Sequence, residues 1–302
     1  MTTYRWQLLR AGPFKLDAGG MFGAVPKALW SKLVSTDDLG RMELAHNCLV
    51  LTRGRDRVLI EAGSGDKLDE KTRKIFGITD YTIVNALADA GVRPEEVTHA
   101  VVSHLHFDHC GGLTRRGETG PVLTFPNAKM YVQRTEWDDA TVGRSHMTRT
   151  YLSENLEPLR GRMQLLDSPP PFERGYRPRR DELPKPRLED REQEIAPGVF
   201  VFTIPGHTIG MQAIRFTDDT GQQVVFAADL IPTVNHVGVA YNMAYDIEPY
   251  TSTVTRRWFL TEATKRNWLV VLDHEPGNPC VRVESDDKGW FKLLPVARAT
   301  SP

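Results

Sequence analysis

The chain of 302 residues is long enough for one large domain or two small ones, and its 40% apolar content is enough to bury a sizeable core. A formal net charge of −1 gives no global pull toward nucleic acid or an anionic membrane surface. No stretch approaches the roughly 18 uninterrupted apolar residues of a spanning helix; the N-terminus lacks the apolar run of a secretory signal, and three cysteines without paired spacing (Cys48, Cys110, Cys280) argue against a disulfide framework, so a reduced, cytoplasmic setting is expected.

Residues 47–52 and 57–61 read as strands around the polar turn Arg53-Gly54-Arg55-Asp56. Residues 80–90 predict a helix, with Asp80 placed as its N-cap, Ile83, Ala86 and Leu87 on one apolar face, and Gly91 as its C-terminal stop. Residues 97–103 form a buried type of strand that runs directly into a cluster of histidines. A polar excursion follows at about 141–196. Its centre, 168–194, is rich in Pro, Arg, Glu and Asp and reads as solvated surface, with a lid or homodimer contact as the functional alternative. The bases Arg174, Arg177, Arg179, Arg180, Lys185 and Arg187 are interleaved with acids there, which makes a mixed-charge face rather than a phosphate site. Strands are expected at 199–204, 212–216, 223–227 and 268–272, with a helix at 251–265. Strands mixed with helices along the whole length predict a sheet-rich, layered α/β or α+β architecture, one domain over 1–302.

The chemistry lies in Ser103-His104-Leu105-His106-Phe107-Asp108-His109. His104 and His106 are two apart, so in an extended segment they project to one side and can chelate one metal. Asp108 and His109 follow where the strand should turn into a loop, within reach of a second metal. Three histidines and an aspartate so close together are costly to bury without a cation. Three more candidates stand at strand ends: His207 after Pro205-Gly206, Asp229 after Ala227-Ala228, and His274 after Leu272-Asp273. Singly, each could be a capped turn. Together they repeat one device, which gathers His and Asp side chains from separated segments into one site. Nitrogen and oxygen donors without a cysteine suit zinc, and also manganese, iron or cobalt.

This pattern resembles the metallo-β-lactamase superfamily, whose signature is His-x-His-x-Asp-His followed by a His, an Asp and a His. The resemblance runs from about Asn47 to Pro276 and fills all seven ligand positions. It implies an α+β fold, a four-layered αββα sandwich with two divalent metal ions, zinc first among them, at one edge of the two sheets. It implies that His104, His106 and His207 hold one ion, that Asp108, His109 and His274 hold the other, and that Asp229 bridges them beside a water or hydroxide. The implied activity is attack of that hydroxide on a lactone, ester or phosphoester. Asp108 would then relay a proton to the leaving group, with no Ser or Cys nucleophile.

An aspartate at 229 resembles the lactonase, glyoxalase-II-like and organophosphate-hydrolase branches rather than the true zinc β-lactamases. The segments 19–26, 62–67 and 228–233 resemble those of quorum-quenching N-acyl homoserine lactonases and methyl-parathion-hydrolase-like enzymes. Two positions depart. Glu61 followed by Ala62-Gly63 stands where Asp-Thr-Gly is frequent, and Pro232 stands where those lactonases carry a substrate-touching Tyr. Tyr241 or Tyr245 is expected to substitute. Met21 and Phe22, flanked by glycines, are expected either to line a small-molecule substrate pocket or to face the core. Asp66 is placed to support a ligand imidazole or to cap a helix beginning near Lys67, while Cys110, His146 and His236 read as ordinary packing residues. A di-iron redox protein would need a flavin domain, for which the residues after Pro276 leave no room. A metal-free scaffold would be expected to have lost ligands, and none is missing. A nuclease would call for a basic stripe with aromatics, which the near-neutral chain lacks.

Overall fold

The computed structural model describes residues 2–142, 149–179, 182 and 185–297. Fifteen strands follow in chain order: β1 (Arg5–Asp17), β2 (Arg41–Arg53), β3 (Asp56–Ile60), β4 (His99–Val101), β5 (Thr114–Arg116), β6 (Pro121–Leu123), β7 (Lys129–Gln133), β8 (Met163–Leu166), β9 (Gln193–Ala196), β10 (Val199–Thr203), β11 (Gln212–Thr217), β12 (Gln223–Phe226), β13 (Leu269–Val271), β14 (Cys280–Ser285) and β15 (Phe291–Pro295). One sheet has the order β1-β2-β3-β4-β7-β8, the other β15-β14-β13-β12-β11-β10-β9, and β5 and β6 form a small hairpin. Pairing is parallel for β3/β4, β4/β7, β7/β8 and β12/β13.

The period of two along each strand explains the layers. In β2, β3 and β4, Leu49, Leu51, Val58, Ile60 and Val101 join Val201, Ile214, Phe216, Val224 and Phe226 of the second sheet in one core. The alternate residues Cys48, Val50, Leu59 and Ala100 face the other way, onto Ile83, Ala86 and Leu87 of the helix Ile83–Asp89. Burying each such side chain contributes on the order of 2 kcal/mol. The helix Pro249–Arg266 covers the outer face of the second sheet, where Trp258 and Phe259 pack on Phe202 and Trp268. The result is the expected α+β order of helix, sheet, sheet, helix.

Several local expectations shift. The first covering helix is capped by Thr82 in a reciprocal box with Asn85, whereas Asp80 pairs with Arg73 at 2.6 Å. A Thr side chain can accept from the second helical amide only from the residue directly before the helix, and Asp80 lies too early. The tract 141–196 is only partly a surface excursion. Tyr151 and Leu156 are buried, β8 extends the first sheet, and β9 opens the second. Its charged residues hid these short apolar runs. All three cysteines are buried, and none is in a disulfide. Among the described residues no helix is long and apolar enough to cross a membrane.

Candidate metal centre

The seven side chains marked out by the sequence converge at one edge of the two sheets. The segment after β4 leaves the strand early, so His104 and His106 lie in the connecting loop. Asp108 and His109 sit in a one-turn helix, Phe107–Cys110. His207 follows β10, Asp229 lies in a 3-10 turn after β12, and His274 follows β13. Gly206 supplies the bend before His207: its φ is +143°, and a Cβ there would overlap the backbone of Ser252.

Asp229 sits at the centre of the cluster. Its Oδ2 lies 2.9 Å from His207 Nε2, 3.4 Å from His109 Nε2 and 3.6 Å from His104 Nε2, while Oδ1 lies 3.2 Å from His274 Nε2. His207 Nε2 is also 3.0 Å from His106 Nδ1. Two tight groups of ligand atoms result: His104, His106, His207 and Asp229 form one, and His109, His274, Asp229 and Asp273 form the other. Asp108 lies at the rim of the second, with Oδ2 3.6 Å from His274 Nε2 and 3.8 Å from His109 Nε2.

The rings are held from behind. The outward Nδ1 of His109 meets Glu61 at 3.1 Å, that of His207 meets Asp246 at 3.0 Å, that of His274 meets the Ala45 carbonyl at 3.1 Å, and that of His104 meets Ser103 Oγ at 2.9 Å. An acceptor behind Nδ1 fixes the proton there and turns an unprotonated Nε2 inward, as a metal ligand requires. The inward atoms then find no partner within the protein: His104, His109 and His274 Nε2, Asp229 Oδ1 and both oxygens of Asp273 are buried without a hydrogen bond. Burial drives His104 and His106 well below the usual imidazole pKa. His207 and His274 are raised despite burial, because Asp229 and other carboxylates face them. Buried imidazoles and carboxylates that face one another at hydrogen-bond distance, some of them holding protons only because carboxylates surround them, fit a pair of divalent cations that would take the place of those protons.

A cavity of about 170 Å³ opens onto this cluster. Leu16, Met21, Phe76, Phe107, Met243 and Tyr245 form most of its wall, with Phe76 stacked on Phe107, and Arg149 and Thr150 complete it. Met21 therefore lines the cavity. Phe22 does not: it is fully buried, stacked between Trp30 and His236, because the short helix Ala18–Phe22 turns consecutive side chains to different faces. Tyr245 reaches the cavity in a slot left by Gly20, where a Cβ would overlap the tyrosine hydroxyl. Tyr241 packs against Phe22 instead. Burial, with Asp17 and Asp108 nearby, pushes the Tyr245 pKa up to about 12, so its hydroxyl keeps its proton.

The family model described as the metallo-beta-lactamase superfamily matches residues 41–274. The chain belongs to the metallo-β-lactamase superfamily. Within it, an N-acyl homoserine lactonase of Bacillus thuringiensis is 25% identical over 242 residues, 76% of either chain. A probable metal-dependent hydrolase from Staphylococcus aureus superposes with a TM-score of 0.78 at 24% identity, covering 99% of this chain and 100% of its own. A dizinc quorum-quenching lactonase, solved with its product, superposes at 0.74 with 16% identity and 98% coverage of both. The metallo-β-lactamase fold thus spans nearly the whole chain, and its relatives place the protein among metal-dependent hydrolases.

Sequence reasoning missed the supports of this metallo-β-lactamase site. Glu61, in a left-handed conformation with φ of 65°, accepts from the Ser103 amide at 2.6 Å as well as facing His109. Glu136 is fully buried and accepts from the Leu105 amide, the Tyr151 hydroxyl and the Thr208 hydroxyl, so one carboxylate ties together two ligand loops. Asp66 supports no imidazole; it accepts from the Arg116 amide, and the next helix is capped by Asp69. His236 bridges Thr233 and the Met21 carbonyl as a core residue, and His146 lies outside the described residues. Asp246, 39 residues from His207, offered no local signal. An Asp246→Ala variant is expected to weaken metal binding about 10- to 100-fold, since His207 loses its orienting partner. Metal titration of the variant checks this, and unchanged affinity would refute the role.

Proposed function

We propose that the protein is a dinuclear-metal hydrolase that opens lactones or simple esters, with His104, His106 and His207 holding one ion, Asp108, His109 and His274 the other, and Asp229 shared. The observation that carries this reading is the apolar cavity whose floor is the ligand cluster. Its mostly apolar wall suits an acyl or alkyl group, and similarity to proteins named N-acyl homoserine lactonases points the same way. Two such ions, when bound, supply Lewis acidity that polarises an acyl oxygen and brings the pKa of water toward roughly 7.

The chain's own residues do the rest. Met21, Leu16 and Met243 exclude bulk water from the acyl group. The Tyr245 hydroxyl, protonated at neutral pH, donates a hydrogen bond to a substrate oxygen and takes the part that Pro232 cannot. Water adds to the acyl carbon, the C–O bond to the leaving oxygen breaks, and Asp108 carries a proton to that oxygen, which gives a hydroxy acid or an acid plus an alcohol. A Tyr245→Phe substitution is expected to lower kcat about tenfold with little change in KM, as for a lost hydrogen bond that strengthens in the transition state.

The test is a comparison of kcat/KM across an acyl homoserine lactone series, a γ-lactone, an aryl ester, paraoxon and a glutathione thioester with the metal-loaded protein. Preference for a lactone or the aryl ester supports the reading. Preference for the thioester would move the protein to the glyoxalase-II-like class, and preference for paraoxon to the phosphotriesterases.

A further inference from the structure

Asp273 stands directly before His274 and has no place among the seven ligand positions that the family resemblance implies. It is 2% exposed, and neither carboxylate oxygen has a hydrogen-bond partner. Its backbone is pinned: the Asn47 amide donates to the Asp273 carbonyl at 2.8 Å, and Asn47 Nδ2 donates to the carbonyls of Leu272 and Glu275. On the other side, the His274 amide donates to the Pro232 carbonyl at 3.0 Å. The end of β13 is thus clamped on both flanks, and the Asp273 side chain is directed at the cluster. One of its oxygens lies with the donor atoms of His109, His274 and Asp229, all within 4.8 Å of one another, and Oδ2 is 3.6 Å from His274 Nε2.

Burying a carboxyl group with no partner is unfavourable in either protonation state, because even the neutral acid leaves its donor unused. A cation among these four donors removes that cost. Asp108 presents its Oδ2 from the cavity side at a similar distance from His274, whereas Asp273 approaches from beneath. We propose that Asp273 is itself a ligand of the second metal ion. The two sites then differ in kind. The first has three imidazoles and a shared carboxylate. The second has two imidazoles and as many as three carboxylates, a harder donor set that accommodates five- or six-coordinate ions. This assignment rests on the two-ion reading of the site, but not on any substrate.

The experiment titrates metal-free protein with Zn²⁺ and, separately, Co²⁺, following stoichiometry by elemental analysis and the visible spectrum of the cobalt form. Wild type is expected to bind about two ions, the second cobalt equivalent giving weak, high-coordinate bands. In Asp273→Asn and Asp273→Ala, the first ion is expected to bind as before. The second should weaken tenfold or more, with a changed cobalt spectrum. Variants that bind both ions with wild-type affinity and an identical spectrum would overturn the proposal. So would an intense, tetrahedral spectrum for the second equivalent in wild type, a readout that needs no variant. Uptake of only one ion by wild type would instead overturn the two-ion reading.

Discussion

An Asp229→Ala variant is expected to lose hydrolytic activity by roughly a thousandfold or more, with metal content falling toward zero. Among the described residues Asp229 is the one side chain that belongs to both groups of candidate ligand atoms. Asp229 Oδ2 faces His104, His109 and His207, and Oδ1 faces His274, all within 3.6 Å. Alanine leaves four buried imidazoles with their shared anion gone, so two cations brought together there would repel without screening. The core between the sheets is built from other residues, and Ala227 and Ala228 pack in it unchanged. Far-ultraviolet circular dichroism should therefore remain close to wild type while elemental analysis reports the loss. A variant that keeps both ions and turns over at the wild-type rate would show that the carboxylate is not shared.

The second large effect concerns stability. Dialysis against a chelator is expected to lower Tm by roughly 10 °C or more, since an ion present at about a thousand times its Kd contributes about 4 kcal/mol, and each kcal/mol moves Tm by a few degrees. The cause is visible in buried atoms that make no hydrogen bond: three imidazole nitrogens, Asp229 Oδ1 and both Asp273 oxygens are withdrawn from water and face chiefly one another. Restoring zinc should restore Tm, and Asp229→Ala should respond little to either treatment. A melting curve indifferent to the chelator would mean that the ions are not part of the folded state's energetics.

The candidate ligands were legible in the sequence because they follow strands whose apolar runs are themselves legible, and because a run such as His104-Leu105-His106 has no packing explanation. The layers were legible through period-two alternation, as in β2. What escaped has a common physical character. Glu61, Glu136, Asp246 and Asp273 act through contacts between segments remote in sequence, and a lone acid in a chain with 25% charged residues carries no mark of burial. The Asp80 cap was misplaced because the turn before the helix uses Thr82 and Asn85, a box whose second member is the shorter Asn rather than the Glu or Gln that reading favours. Phe22 was assigned with Met21 because adjacency in sequence is not adjacency on a helix face.

The strand order has a consequence for how the molecule could be divided. Every strand of the first sheet lies before residue 167 and every strand of the second after residue 192, and among the described residues each ladder joins strands of the same half. A backbone cut between Leu166 and Gln193 would break no sheet. It would nevertheless part the candidate ligands, leaving His104, His106, Asp108 and His109 on one fragment and His207, Asp229, Asp273 and His274 on the other. Metal ions bound there would rivet two pieces that already share the core between the sheets, and a nicked chain would be expected to hold together more tightly with metal than without it.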